Sequence, residues 1–238
     1  MIPNFIDRSQ LPHASGVYIF KDKAGKVLYI GKAIDLLSRV ASYFNKDQPL
    51  KTANLVSNIS SLGTIIVESE LEALILEANL IKKHLPPFNV RLVDDKDYLY
   101  IGVTREDFPK VITLRKHDLP AGRQGLKKVK KYWGPFPSSR TVADTLRLLR
   151  KVFPWCAGTG YRRACFYYHL GLCPGACVGA ITKFDYHKII NRFRKFMDGK
   201  KAELVQDLTS EMQEESKLQH FEEADKVKKT VEGILYLT

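Results

Sequence analysis

The sequence predicts an α+β protein, and three stretches carry that prediction. Gly16-Val17-Tyr18-Ile19-Phe20 and Val27-Leu28-Tyr29-Ile30-Gly31 are β-branched and aromatic runs separated by turn-rich DKAG, which reads as a hairpin. ESELEALILEANLIKKHL has apolar residues at helical spacing and is stopped by Pro86-Pro87. From Phe184 onward the chain reads as helix, with a break at Gly199 before a last helical hairpin, roughly Glu203 to Leu237.

The other elements follow in order. Asp35 is an N-cap for a helix to about Asn45, with Leu36, Leu37, Val40 and Phe44 as its apolar stripe. A second helix, about Thr52 to Ser60, leads through Leu62-Gly63 to a strand over Thr64–Val67. On the long helix that follows, Leu71, Leu74, Ile75, Ala78 and Ile81 share a face, Glu77 lies at its margin and Glu72 points away. After the polar junction Asp94–Asp97 come strand-like YLYIGVT and KVITLRK, then the Gly-containing loop LPAGRQG. Trp133-Gly134-Pro135-Phe136-Pro137 forms a rigid lead into a helix over Arg140–Val152. The expected division is therefore 1–97, 98–152, a cysteine-rich segment 153–182 and a helical region 183–238.

With 238 residues, 45% hydrophobic and 27% charged, the composition is that of a globular chain. No run is long and apolar enough to span a bilayer, and MIPNFIDRSQL lacks the apolar core of a signal peptide. The expectation is a soluble, cytoplasmic protein without a membrane partner. The formal net charge is +12. Between Arg105 and Lys151 there are 13 Lys/Arg against 4 Asp/Glu, so most of the excess lies in one block that includes Lys127, Lys128, Lys130 and Lys131. Such a block fits a polyanion such as DNA, whose condensed counterions are released when phosphates are neutralised; the plainer alternative is a solubilising surface.

Cys156, Cys165, Cys173 and Cys177 fall within 22 residues, spaced C-x8-C-x7-C-x3-C. In a reducing compartment such a group reads as a metal site before a pair of disulfides. The spacing is not the paired C-x2-C of a zinc ribbon, so an iron–sulfur cluster competes with zinc, and four unrelated buried cysteines remain an alternative. Elsewhere, four features point to phosphoryl chemistry. Lys32 follows the second strand, Arg39 and Tyr43 share a helix face at i,i+4, and Glu77 can reach a site beside the core while keeping one side wet. A solvated helix glutamate is the simpler account of Glu77.

The half-motifs GVY and YIG resemble those of the GIY-YIG nucleases. LPHASGVYIFKDKAGKVLYIGKAIDLLSRVASYF, SELEALILEANLIKKHLPPFNVRLVDDKDYLYI and YWGPFPSSRTVADTLRLLRKVFPWC are similar, in that order, to the N-terminal half of the UvrC family of nucleotide excision repair. The cysteine segment and the final hairpin are similar to that family's cysteine-rich region and UvrB-binding motif. The resemblance implies a three-stranded antiparallel sheet flanked by helices, and one Mg²⁺ or Mn²⁺ held by Glu77. It places Tyr18, Tyr29, Lys32, Arg39, Tyr43 and Asn89 on family active-site positions, and a [4Fe–4S] cluster, with zinc as alternative, on the four cysteines. It also implies cleavage of damaged double-stranded DNA on the 3′ side of a lesion, and pairing with UvrB through the hairpin. In that hairpin Phe221, Glu222 and Ala224 fit the motif while Asp225 and Lys228-Lys229 depart from it. Either the chain is the front half of a longer protein or it is a short stand-alone homologue.

The chemistry requires these residue types. Attack on a phosphodiester places negative charge on non-bridging oxygens, which a metal and an arginine offset. A phenol with an ordinary pKa near ~10 becomes a usable base only in a cationic neighbourhood. Tyr29 is preferred over Tyr18 for that role, and Lys32 and Arg39 are the expected cations. The rival function is a non-catalytic DNA-binding adaptor, which would be expected to have lost some of these side chains.

Overall fold

The computed structural model describes residues 11–45, 48–89, 98–115, 118, 129–136, 138–157 and 163–237. It falls into two compact units, residues 1–96 and 97–237.

In the first unit, β1 (Gly16–Lys21) is the middle strand of an antiparallel sheet, flanked by β2 (Val27–Ala33) and β3 (Ser61–Ile66). The β1–β2 turn is held by Asp22, whose carboxylate accepts from the Ala24 and Lys26 amides at 2.9 Å. Helix α1 (Leu36–Ser42) starts where Asp35 accepts from the Ser38 amide; that bond and a second to His13 hold the Asp35 carboxyl down at about 2. It ends at Ser42, short of the expected Asn45, with Tyr43 as its C-cap. Helix α2 (Leu50–Asn58) leads into β3, which begins at Ser61 because Leu62 and Gly63 pair with Phe20 and Ile19. The sequence put this strand at Thr64; the pairing across to β1 extends it backwards.

Helix α3 (Glu70–His84) begins at Ser69, which accepts from the Glu72 amide while Glu72 folds back onto the Glu68 amide. Ala73, Leu74, Ile75, Ala78 and Ile81 are its buried residues, so the expected stripe holds except that Leu71 is only half-buried. The two sheet faces are covered differently. Tyr18 and Phe20 pack with Leu36, Val40, Leu55 and Ile59 from α1, α2 and the residue after it. Val17 and Ile30 pack against Ala73 and Ile81 of α3.

The second unit opens with another three-stranded antiparallel sheet, in which β4 (Leu99–Thr104) lies between β5 (Val111–Arg115) and β6 (Val129–Phe136). β6 corrects the sequence reading, which gave no strand here and took Trp133–Pro137 as a lead into a helix. Lysine is poor in isolated strands, but Val129, Trp133 and Phe136 are buried and the segment pairs with β4 from Val129 to Phe136. Helix α4 (Ser139–Val152) is capped by Ser138. The cysteine segment contains only a short helix α5 (Phe166–His169) and a 3₁₀ turn (Ala176–Val178). Helices α6 (Lys183–Met197), α7 (Lys201–Lys217) and α8 (Phe221–Tyr236) complete the unit, the last two as the expected hairpin.

Phe193 of α6 is the centre of this unit's core. Its ring meets Trp133 at 5.7 Å, Trp155 at 5.7 Å and Phe153 at 6.3 Å, all buried. Truncating a large buried aromatic loses transfer energy and leaves a cavity, so Phe193→Ala should cost about 3–5 kcal/mol. The protein's 2 tryptophans both touch this ring, so urea unfolding followed by tryptophan fluorescence measures that loss directly.

Candidate active site and cysteine centre

Strand alternation puts Tyr18 and Phe20 on one face of β1, and the β1–β2 register sets them opposite Gly31 and Tyr29. The Tyr18 ring lies directly across Gly31. A Cβ at Gly31 would sit 2.3 Å from the Tyr18 hydroxyl oxygen and 2.4 Å from its Cζ, so only glycine leaves room for the ring. Gly16 serves a matching purpose at the other edge, where a Cβ would meet the Ile65 carbonyl oxygen at 2.5 Å. Each glycine of the paired half-motifs therefore lets a neighbouring chain approach closely.

The result is a cluster of phenols. The Tyr18 hydroxyl shares a 2.8 Å hydrogen bond with that of Tyr43, and the Tyr18–Tyr29 and Tyr29–Tyr43 ring centres are both 6.1 Å apart. Arg39 lies over the Tyr43 ring at 5.5 Å, as their i,i+4 spacing allows, and its neighbours, Tyr18 first, shift its guanidinium upward. Burial pushes the Tyr18 and Tyr29 phenols above their ordinary range, with like interactions from the other tyrosines adding to it. Tyr18 is 1% exposed, whereas Tyr29 is only half-buried.

β2 is an edge strand, and its outward groups are taken up by side chains. The Asn89 amide accepts from the Ile30 N–H and donates to the Ile30 carbonyl, both at 2.8 Å, so it copies a neighbouring strand. One turn of strand later, the Glu77 carboxylate accepts from the Lys32 N–H at 2.8 Å. Burial raises the Glu77 carboxyl, and the Lys32 amide and the charges of Lys32 and Arg39 oppose that shift. A half-buried carboxylate with so little hydration suits a hard cation that keeps much of its own water shell, and so fits a single Mg²⁺ or Mn²⁺. The Lys32 ammonium reaches Glu70 at 2.5 Å, which leaves Arg39 as the cation beside the phenols. Asn89 owes its position to the end of α3. Leu85 turns left-handed, Pro86-Pro87 forbid further helix, and the Asn89 amide bonds the Pro86 carbonyl.

The four cysteine sulfurs lie within 4.8 Å of one another, with Cys156, Cys173 and Cys177 buried. Cys173 and Cys177 are 4.0 Å apart, and the Cys165 amide faces the Cys177 sulfur at 3.4 Å. Tyr186 ties the segment down: it accepts from the Cys156 amide at 3.0 Å and donates to the Pro109 carbonyl at 2.8 Å. Burial drives the Cys173 thiol upward, so a cation is needed before it serves as a thiolate. Four convergent soft donors fit a thiolate metal site.

Residues 14–90 match the family model described as "UvrC-like GIY-YIG domain", and residues 98–196 that described as "UvrC/Cho excinuclease, middle domain". The UvrABC system protein C of Thermoanaerobacter sp. (strain X514) is 41% identical over 234 residues, 94% of this chain and 37% of that protein. That of Methanothermobacter thermautotrophicus is 37% identical over 228 residues, 96% of this chain and 38% of that protein. The chain belongs to the UvrC family. Its first unit is a GIY-YIG endonuclease domain homologous to that of UvrC. The chain spans little more than a third of the length of the curated UvrC relatives it matches. A crystal structure of the GIY-YIG N-terminal endonuclease domain of UvrC from Thermotoga maritima, described as bound to magnesium, its catalytic divalent cation, is 44% identical. It covers 37% of this chain and 99% of that chain, with a TM-score of 0.33.

Within this UvrC-type chain, Tyr18, Tyr29, Arg39 and Tyr43 meet in one cluster, and Lys32, Glu77 and Asn89 line the neighbouring edge of β2. The basic block is less uniform. Lys127 and Lys128 lie outside the described residues, Lys130 is exposed on β6, and Lys131 is paired with Asp198 at 2.5 Å. Trp133 donates to the same carboxylate at 2.8 Å, so the half-buried Lys131 charge is answered by Asp198. The space-making role of Gly31 escaped the sequence reading. Its signal was present, since a glycine two places after a tyrosine in a paired strand marks a spot another ring can cross. Glu70, the partner of Lys32, had no signal in the pattern. Gly31→Ala should destabilise the first unit by about 1–3 kcal/mol through overpacking and displace the Tyr18 hydroxyl. In a Tyr18→Ala background the same substitution should cost almost nothing, a non-additivity that a double-mutant cycle of urea unfolding reads.

Proposed function

We propose that this chain is a metal-dependent DNA endonuclease of nucleotide excision repair, hydrolysing a phosphodiester on the 3′ side of a lesion in the damaged strand. The observation that carries the proposal is the juxtaposition on β2: an under-hydrated Glu77 carboxylate at one end and a cluster of three phenols with Arg39 beside it. Glu77 would hold one Mg²⁺ or Mn²⁺, which supplies Lewis-acid stabilisation of the developing charge. Arg39 is placed to offset charge on a non-bridging oxygen. Tyr29, half-buried where Tyr18 is not, would accept the proton of the attacking water as its phenolate, a form that the positive charge of the metal and of Arg39 would have to favour against burial. Tyr18 orients the Tyr43 hydroxyl from inside the core. Lys32 acts at one remove, by fixing Glu70 and by its charge near Glu77.

Damaged duplex DNA is the proposed substrate and the cytoplasm the proposed location; among the described residues no helix is long and apolar enough to cross a membrane. UvrB is the proposed partner of the α7–α8 hairpin, where Leu218 and Phe221 at the turn are 63% and 65% exposed. Lys130 supports a DNA contact from β6. Glu77→Gln removes a charge and little volume, so nicking of lesion-bearing duplex with UvrB and Mg²⁺ should fall by at least about a hundredfold while DNA binding and melting temperature stay near wild type. Wild-type cleavage by Glu77→Gln would remove its role as metal ligand, and a wild-type chain that binds DNA and UvrB without nicking would favour the adaptor function.

For the cysteines we propose a [4Fe–4S] cluster with a structural role, on the strength of the family resemblance and the four sulfurs. One observation favours zinc: sulfurs this close suit a single tetrahedral ion, whereas a four-iron cubane, each iron carrying one sulfur outward, needs them farther apart. Protein purified without oxygen should absorb broadly near ~400 nm and contain iron and sulfide. A colourless protein with stoichiometric zinc would decide for the single ion.

A further inference from the structure

Arg150, in the last turn of α4, is only 8% exposed. Its guanidinium lies 3.6 Å from the centre of the Tyr167 ring and 4.5 Å from that of Trp155. Nη2 donates to the Trp155 carbonyl at 2.8 Å, while Nε is enclosed without a hydrogen-bond partner. A buried cation is strongly disfavoured unless an anion answers it. Among the described residues no carboxylate does. Burial is the main influence on Arg150, and the side chains that support its charge are Tyr167, Cys173, Cys165 and Tyr186. Burial holds the Tyr186 phenol in its neutral form, and the carbonyl end of α4 supplies only a partial charge. Thiols are neutral too, but four thiolates outweigh the charge of a zinc ion or a cubane core, so the loaded site is an anion.

We infer, on the reading that the four cysteines bind a metal, that Arg150 is the buried counter-ion of the loaded site. Tyr167 and Trp155 clamp the guanidinium flat beside the cysteine segment, and those residues lie in the same stretch as the ligands Cys156 and Cys165. Arg150 is a positioning residue: it makes no bond to the metal, and its enclosed charge, held on the carbonyl of the residue before Cys156, offsets the net negative charge of the loaded site. The charge and the ligands are then mutually dependent, since each would be an uncompensated buried group without the other.

The test uses the full chain purified without oxygen, as wild type, Arg150→Met, Arg150→Lys and Cys173→Ser. Iron, sulfide and zinc are measured per chain, then the rate of metal release to EDTA, and then the melting temperature of loaded and chelator-stripped protein. Removing a partner of metal ligands typically weakens the site by roughly ten- to a hundredfold, so Arg150→Met should release metal faster by about that factor. Arg150→Lys, which retains the charge and loses the planar stack, should recover much of the difference. The gain in melting temperature on loading should shrink in Arg150→Met, while the stripped variant melts no lower than stripped wild type because an unanswered cation has gone. A merely structural arginine would lower both forms equally, and that result overturns the inference. So does unchanged metal release from Arg150→Met when Cys173→Ser has lost its metal. A wild-type chain that holds no metal overturns the metal-site reading itself, and the counter-ion role with it.

Discussion

An edge strand presents a row of outward N–H and C=O groups that must be satisfied by something other than a neighbouring strand, and in this protein the first unit is built around how β2 meets that demand. Asn89 closes the Ile30 amide and carbonyl together, and Glu77 closes the Lys32 amide. Because the two side chains come from α3 and the turn after it, the same hydrogen bonds that finish the sheet also dock the helix. The carboxylate is thereby fixed at the strand that carries Tyr29 and Gly31, and its burial leaves it short of hydration. A structural constraint and the makings of a metal site are thus one arrangement.

The opposite face of β2 obeys a packing constraint instead. Tyr18 can lie across the sheet only because Gly31 has no side chain, and its hydroxyl then meets Tyr43 at the end of α1. Arg39, one turn earlier on that helix, is carried to the same place. Burial pushes the Tyr18 and Tyr29 phenols away from deprotonation, so neither is by itself a ready base. A base at Tyr29 depends on nearby positive charge, and Arg39 is a cation that acts on the neighbouring Tyr18.

In the second unit, cations are also held by the fold. Lys131 and Trp133 share Asp198, and Arg150 is enclosed between the rings of Trp155 and Tyr167. A basic composition therefore overstates the charge available to a polyanion: part of it is already answered, as at Lys131, and part remains exposed, as at Lys130. Tyr186 links the cysteine segment to the loop before β5 through two hydrogen bonds from one hydroxyl, which gives a segment with little regular structure a fixed attachment.

The sequence by itself determined the elements that rest on local rules. Asp35 caps α1, the Pro86-Pro87 pair ends α3, and the C-terminal hairpin follows from helical periodicity, because caps, stops and stripes involve residues a few positions apart. The residue types of the site and the four cysteines were likewise legible. Only the tertiary structure decided that Val129–Phe136 is a strand, that Lys32 turns to Glu70, that Asn89 completes β2 and that Lys131 is spent on Asp198. These contacts join residues 38, 59 and 67 positions apart in the cases of Lys32, Asn89 and Lys131. No short window of sequence holds both partners of such a contact, so the pairing exists only once the chain has packed.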